Sequence, residues 1–151
     1  MAKPIAYIER TKRYYAAQDF APYQWAQYDE TPWQSPNKPL AESRVAIVTT
    51  AVPDGSIEKP IRTASSWDIH QAPDRFRTDE LSWDKETTHT DDRGSYFPLE
   101  ALAALAEAGV IGALAPRFHF VPTEYSQRNT INHDAPKVVQ ACIDDEVDIA
   151  N

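Results

Sequence analysis

The segment Arg44–Val52 is the strongest structural signal in the sequence. Its residues are almost continuously apolar and β-branched, which is typical of a strand that other elements cover on both faces. The segment contains Thr49 and Thr50 and is followed by a Pro-Asp-Gly turn signal. Ligands of open α/β sheets bind beyond the carboxyl ends of strands, so both threonines are candidate ligand-binding residues. The alternative is that they are ordinary strand residues whose hydroxyls are satisfied by the backbone.

Further elements follow in an alternating order along the chain. Pro98–Ala108 has apolar residues at helical spacing, and Gly109 is well placed to end that helix. Arg117–Val121 alternates like a strand, and a second helix is predicted over Asp134–Ile143, with the aspartate as its cap. Val147–Asn151 indicates another strand. The predicted class is therefore α/β: an open three-layer sheet of mostly parallel strands, incomplete within this chain.

The N-terminal part has a different character. Residues 4–20 are predicted to be helical, with tyrosines on neighbouring turns and basic residues between them. Pro22–Pro39 is rich in aromatic residues and in prolines that prevent a continuous helix. We interpret residues 1–40 as a helix and a docking arm and residues 41–151 as the α/β domain. The arm would bury its rings on its own domain or on another subunit.

Composition narrows the classes of function. The formal net charge of −8 disfavours nucleic acid as a partner, because a polyanionic backbone is repelled. No apolar run is long enough to span a membrane, and the first residues lack an apolar signal core. One cysteine cannot form an internal disulfide, which fits a reducing compartment, so we expect a cytoplasmic protein.

A long polar loop, Ser82–Pro98, leads into the first helix of the α/β domain. Loops of this length and polarity carry function more often than simple connections do. His89 with Asp91 and Asp92 suggests an acid–base or ligand-orienting cluster, with a metal site and a solvated, capping loop as alternatives. We expect no metal, because the strong zinc signatures are absent from the sequence.

Two other reactive side chains have simpler interpretations. His119 alternates with two phenylalanines, so we expect it on the opposite face of its strand from those rings. Cys142 lies on the apolar face of the second predicted helix, where a thiol behaves as a small, inert hydrophobe.

Four segments of the chain together resemble one enzyme family. They are the strand region Pro39–Ala51, the motif Asp92–Pro98, the helix with its Glu-x-Gly-x-Ile-Gly exit at Leu99–Gly112, and the helix and Val-Asp strand at Ala135–Ile149. In this order and spacing they resemble the first half of the B-component family of glycine, sarcosine and betaine reductases and of D-proline reductase, which are selenocysteine or cysteine enzymes. Tyr7–Thr11 is also similar to proteobacterial members.

The resemblance implies that this chain binds the substrate and that another polypeptide segment supplies the reactive group. The family places its reactive selenocysteine or cysteine a few residues beyond the Val-Asp strand, so the thiol or selenol would come from a second reductase subunit or a downstream segment. This chain alone would not be a competent enzyme, and it would hold no cofactor of its own. Its His89 and Asp92 would be catalytic. Substrate-binding residues for a small amino-acid-like molecule would be Thr49, Thr50, Trp83, Thr88 and Asp91.

Two departures from the family pattern keep a second hypothesis open. Trp83 stands where the family commonly has histidine, and Gly94 stands where it has asparagine. A non-catalytic assembly or small-molecule-binding protein that kept the fold and lost the chemistry would also fit, and self-association would suit its aromatic arm. A small hydrolase that uses His89 and Asp92 is a more distant alternative.

Overall fold

The computed structural model describes residues 6–22, 29–30, 33–53, 62–79, 85–123 and 126–151 of the chain. It divides into two compact units, residues 1–34 and residues 35–151. In the first unit, helix α1 spans Tyr7–Ala16, and none of its residues is buried. Asp19 follows in the left-handed region at φ 59° and closes the helix end.

The second unit alternates strands and helices. Its strands are β1 (Arg44–Ala46), β2 (Val48–Thr49), β3 (Ser65–Asp68), β4 (Ala113–Leu114), β5 (Arg117–Phe120) and β6 (Ile149–Ala150). Its helices are α2 (Leu99–Glu107), the short α3 (Gln127–Asn129) and α4 (Ala135–Asp144), with a π-helical turn at Thr130–Asp134 between the last two. Single 3-10 turns lie at Leu40–Glu42, Ile69–Gln71 and Arg93–Ser95.

The segment that contains β1 and β2 occupies the centre of the strand arrangement. The strand orders are β4-β1-β6 and β2-β5-β3; among the strands of the described residues, β3 and β5 pair antiparallel and the other neighbours pair in parallel. The two halves are joined through backbone hydrogen bonds, because Asn151 N donates to Ala46 O and Val48 N donates to Asn151 O. The predicted α/β class with mostly parallel strands is thus confirmed.

The chain that runs from β4 to β5 along one edge of the central segment is two residues longer than the stretch of the segment that it pairs with. Val45 pairs with Leu114 in β4, whereas Val48 pairs with His119 in β5, so the register advances by two residues between them. Ala115 N still donates to Val45 O and His119 N donates to Ile47 O. The extra length is therefore taken up around Pro116 without loss of the flanking hydrogen bonds.

Helices cover both faces of the sheet. Phe118 packs in the core with Leu99 and Leu102 of α2, and its neighbour His119 contacts Cys142 of α4. Consecutive strand residues point to opposite faces, so α2 and α4 lie on opposite sides of β5. This gives the three-layer arrangement, and it confirms that His119 faces away from the two rings beside it.

Aromatic rings fill the α2 side of the core. Phe76, Phe97 and Phe118 are each at most 2% exposed, and their ring centroids lie 4.6–5.8 Å apart. Ile47 from the central segment packs against them. Phe118 meets both other rings edge to face, and the three rings together bury a large area, so they hold the loop segments that carry Phe76 and Phe97 onto the sheet.

The helix ends differ in how well local rules describe them. Gly109 has φ 68°. Gly109 N donates a hydrogen bond to Ala106 O, and Val110 N donates one to Leu105 O. This pair of hydrogen bonds is typical of a helix that ends at a glycine. The predicted role of Gly109 is confirmed. The predicted cap at Asp134 is wrong: its backbone is helical, and its carboxylate instead accepts a hydrogen bond at 2.8 Å from Ala64 N.

Gly112 is essential at the start of β4 because there is no room for a side chain. A Cβ placed there would lie 2.6 Å from the Glu42 carbonyl carbon and 2.9 Å from Ser43 N. We predict that Gly112→Ala lowers the free energy of unfolding by about 1–3 kcal/mol, since backbone atoms would have to shift. Urea unfolding measures this change.

Gly94→Ala is the matched control, because a Cβ at Gly94 approaches only the movable Asp92 carboxylate, at 3.2 Å. Equal destabilisation by both variants would contradict the steric argument.

Candidate functional site

A cleft lies beyond the carboxyl end of β2. Val52 pairs antiparallel with Arg77, with backbone N–O distances of 2.9 and 3.0 Å. The hydroxyls of Thr78 and Thr90 are then 2.7 Å apart, which ties the polar loop to the same place. The chain therefore brings the loop to the carboxyl side of its central segment, where ligand sites of open α/β sheets form.

The cleft has a volume of about 550 Å³ and a lining with both signs of charge. Its lining residues are Arg75, Phe76, Arg77, Thr78, Asp79, Lys85, Thr88, His89, Thr90 and Asp91. Guanidinium and ammonium groups suit a carboxylate, and carboxylates suit an ammonium. The cleft therefore has the chemistry to bind a small zwitterion.

Asp91 is the centre of the polar contacts in this cleft. Its Oδ1 lies 3.2 Å from Arg75 Nη2, and its Oδ2 lies 3.7 Å from His89 Nδ1. All three side chains are more than 60% exposed, so a ligand can compete for them. Asp91 N also lies 3.4 Å from His89 Nδ1, so the backbone and the side chain of Asp91 both approach the same ring nitrogen.

The other predicted site residues do not line this cleft among the described residues; Thr49 and Asp92 make local hydrogen bonds to the backbone instead. Thr49 is buried, and its Oγ1 accepts a hydrogen bond from Ala51 N, as in the backbone-satisfied alternative; Thr50 is exposed. Neither threonine lines the cleft among the described residues. Asp92 caps the 3-10 turn after the loop by accepting from Gly94 N at 3.0 Å. Trp83 lies outside the described residues.

The motif that follows the loop fixes its end to the body of the domain. Arg93 Nη1 donates to Pro73 O at 2.7 Å, and Arg93 also forms an ion pair with Glu100 in the first turn of α2. Tyr96 Oη donates to Thr90 O at 3.4 Å and its ring packs on Phe76. These contacts place the loop relative to the cleft and give the motif a structural purpose.

A second polar cluster, on the α4 side of the sheet, could not be predicted from sequence spacing. His119 is fully buried, with Nδ1 at 3.0 Å from Ser66 Oγ of β3 and Nε2 at 3.5 Å from Cys142 Sγ of α4. Next to it, Arg117 and Asp145 form a two-pronged ion pair with N–O distances of 2.8 and 2.9 Å. Three elements are thus linked through polar side chains beneath α4.

The electrostatics of this second cluster do not favour nucleophilic catalysis. Burial raises the pKa of the Cys142 thiol, and the nearby Asp145 carboxylate raises it further. Cys142 also lies near the C-terminal end of α4, where the helix dipole disfavours a thiolate. Burial, followed by the charge of Arg117, lowers the pKa of His119, which stabilises the neutral ring.

Within the described ranges, no group of three or more His, Cys, Asp or Glu side chains is placed to hold a metal ion. None of the helices in those ranges has the length and apolar character that crossing a bilayer requires.

Comparison with known proteins gave no further information. No protein-family model, curated protein or solved structure matches the chain.

The buried His119 predicts a pH dependence of stability. Because its folded pKa is below that of an exposed histidine, about 6.5, the unfolded chain takes up a proton first as the pH falls. Its contribution to stability is therefore present above about pH 6.5 and is lost as the pH falls towards the folded pKa. We expect His119→Gln to unfold at lower urea concentration at neutral pH but to lose less stability on acidification.

The control for this experiment is His70→Gln, which removes an exposed histidine. Urea midpoints at neutral and mildly acidic pH give the comparison. An unchanged acid-dependent loss in His119→Gln would show that other groups cause it.

Cys142 is expected to be a slow nucleophile in the folded protein. Its raised pKa leaves less thiolate than an exposed cysteine has, so alkylation by iodoacetamide at mildly alkaline pH should be slower than in urea-unfolded protein. Mass spectrometry of timed samples measures both rates. A faster rate in the folded state would identify an activated thiol and contradict this assignment.

Proposed function

We propose that the chain is the substrate-binding part of a reductase that resembles the glycine, sarcosine, betaine and D-proline reductase B components. Its ligand is a small amino-acid-like molecule, and the reactive thiol or selenol is supplied by a polypeptide segment other than these 151 residues. The cytoplasm is the proposed location, in keeping with the single cysteine of the sequence.

The observation that carries this proposal is the cleft that contains His89 and Asp91. It lies at the carboxyl side of the central segment and presents Arg75 and Lys85 together with Asp79 and Asp91. A zwitterion offers one carboxylate and one ammonium, and this lining has partners for both. Thr88 and Thr90 add hydroxyl groups that orient a ligand of this size.

The state of Cys142 supports the second half of the proposal. It is the only cysteine in the sequence, its pKa is raised, and it lies on the α4 side of the sheet against His119. It is not among the residues that line the cleft. A reaction that begins with thiolate or selenolate attack therefore needs a nucleophile from elsewhere.

In the proposed reaction, the incoming thiolate or selenolate donates its electron pair to the carbon that bears nitrogen. The carbon–nitrogen bond of the bound ammonium breaks, and its electron pair leaves with the nitrogen, which departs as an amine and then takes up a proton. His89 in its protonated form, exposed at the cleft, is the proposed donor of that proton, and the Asp91 carboxylate beside Nδ1 orients the ring. An external dithiol then attacks the sulfur or selenium of the adduct, so that the carbon leaves with the electron pair of the broken bond and takes a proton. The second thiol of the dithiol displaces the nucleophile from the mixed disulfide or selenosulfide, which restores the thiolate or selenolate and leaves the dithiol oxidised to a disulfide.

Binding of four compounds tests the ligand class: glycine, sarcosine, betaine and D-proline. We expect at least one to bind at millimolar concentration and to shift the backbone amide signals of Arg75 and Thr88–Asp91 in NMR spectra. Arg75→Gln and Asp91→Asn should each weaken binding by about tenfold, the usual cost of losing one charge-assisted contact.

Asp74→Asn is the matched control, since it neutralises a neighbouring carboxylate that does not line this cleft. Failure of all four compounds to bind would contradict the proposal. Binding without release of amine when a selenol- or thiol-bearing protein is added would instead favour the small-molecule-binding alternative.

A further inference from the structure

Helix α1 presents an exposed tyrosine face. Tyr7, Ile8, Tyr14 and Tyr15 share one side of the helix at spacings of one and seven residues, and they are 69%, 42%, 65% and 48% exposed. Arg10 and Lys12 flank this face at its two edges. An apolar face of this size with a basic rim is typical of a surface that packs against another body.

A complementary surface lies on the outer side of α4. Ile131, Ala135, Val139 and Ile143 follow one another at intervals of four residues, and all are exposed, with Ile131, Val139 and Ile143 at 58%, 55% and 63%. We call these residues the α4 stripe. Acidic residues lie at its end, where Asp144 follows Ile143 and where Glu146 lines a shallow cleft together with Ile143.

Charge selects the α4 stripe as the partner of the tyrosine face. Residues 1–34 contain four basic and four acidic side chains, so the whole formal charge of −8 lies on residues 35–151. Two tyrosine faces packed together would oppose their basic rims, whereas a tyrosine face on the α4 stripe brings those rims towards acids. Among the described residues of the second unit, the other exposed large apolar side chains, Leu40, Leu105 and Val110, form no comparable line.

The α4 stripe is long enough to receive the tyrosine face. Tyr7–Tyr15 is nine residues long, or about 12 Å of helix, and the part of the stripe on α4, Ala135–Ile143, has the same length, with Ile131 beyond it. At the observed exposures, and with roughly 150 Å² for a tyrosine, two such contacts would bury on the order of 1,400 Å², which is within the range of stable interfaces. A single contact would bury only about half of that area.

We propose that the partner is a second copy of this chain, with α1 of each copy packed on the α4 stripe of the other. A reciprocal exchange covers all four exposed surfaces at once and closes the assembly with two-fold symmetry. The proposal is independent of the ligand cleft, because neither surface contributes a residue to it.

Analytical ultracentrifugation of the full 151-residue chain over a micromolar concentration range tests the exchange. We expect a dimer for the unaltered protein. Tyr14→Asp on the tyrosine face and Val139→Asp on the α4 stripe should each raise the dimer dissociation constant by about tenfold or more, as loss of a central interface side chain does. Val110→Asp, on an exposed residue outside both surfaces, is the control and should leave the dimer intact.

Reversing the charges beside the two surfaces gives a second test of the exchange, which does not depend on the direction in which α1 lies on the α4 stripe. Arg10→Glu with Lys12→Glu should weaken the dimer, Asp144→Lys should weaken it too, and the three changes together should recover affinity. Thermal unfolding of each variant verifies that it folds.

A monomer at all concentrations would overturn the proposal, as would a dimer that survives both aspartate variants. A monomer whose stability falls equally with Tyr14→Asp and Val139→Asp would show that the helix docks within its own chain, which also contradicts the exchange.

Discussion

The backbone hydrogen bonds of the central segment Arg44–Thr49 are the constraint on which the rest of the second unit depends. One edge of the segment is paired to β4 and β5 and the other to β6, all in parallel. A parallel strand in the middle of a sheet must be covered on both faces, because its side chains point to both. The helices α2 and α4 meet this need, and the same arrangement places the end of β2 beside the polar loop.

The two faces of the sheet have different chemistry. The α2 side is a cluster of phenylalanine rings, and it holds the segments that form the walls of the cleft. The α4 side contains a buried imidazole between a hydroxyl and a thiol, next to an arginine–aspartate ion pair. Buried polar groups of this kind tie elements together only while every group has its partner, which makes the α4 side the more sensitive to protonation.

Local sequence signals predicted those parts of the fold that depend on local physics. The β-branched run, the alternation around His119 and the glycine after α2 each reflect a preference of a few neighbouring residues. The predicted cap at Asp134 was wrong for two reasons that its sequence neighbours do not reveal. The helix already continues from a π-helical turn at this residue, and the hydrogen-bond donor to its carboxylate is Ala64 N, 70 residues earlier. In the site, the grouping of Thr88, His89 and Asp91 follows from their adjacency. Arg75 joined them only through tertiary contacts, as did Ser66 with His119 and Cys142.

The two-residue register advance around Pro116 affects how this chain can change in length. Successive strand side chains alternate between faces, so a length change by an even number of residues leaves Phe118 among the rings and His119 beneath α4. A single inserted or deleted residue would drive an imidazole into the aromatic core and a phenyl ring against Ser66 and Cys142. Relatives of this protein should therefore differ in length at this point by an even number of residues. In an alignment of distant sequences, gaps around Pro116 should accordingly be even in length.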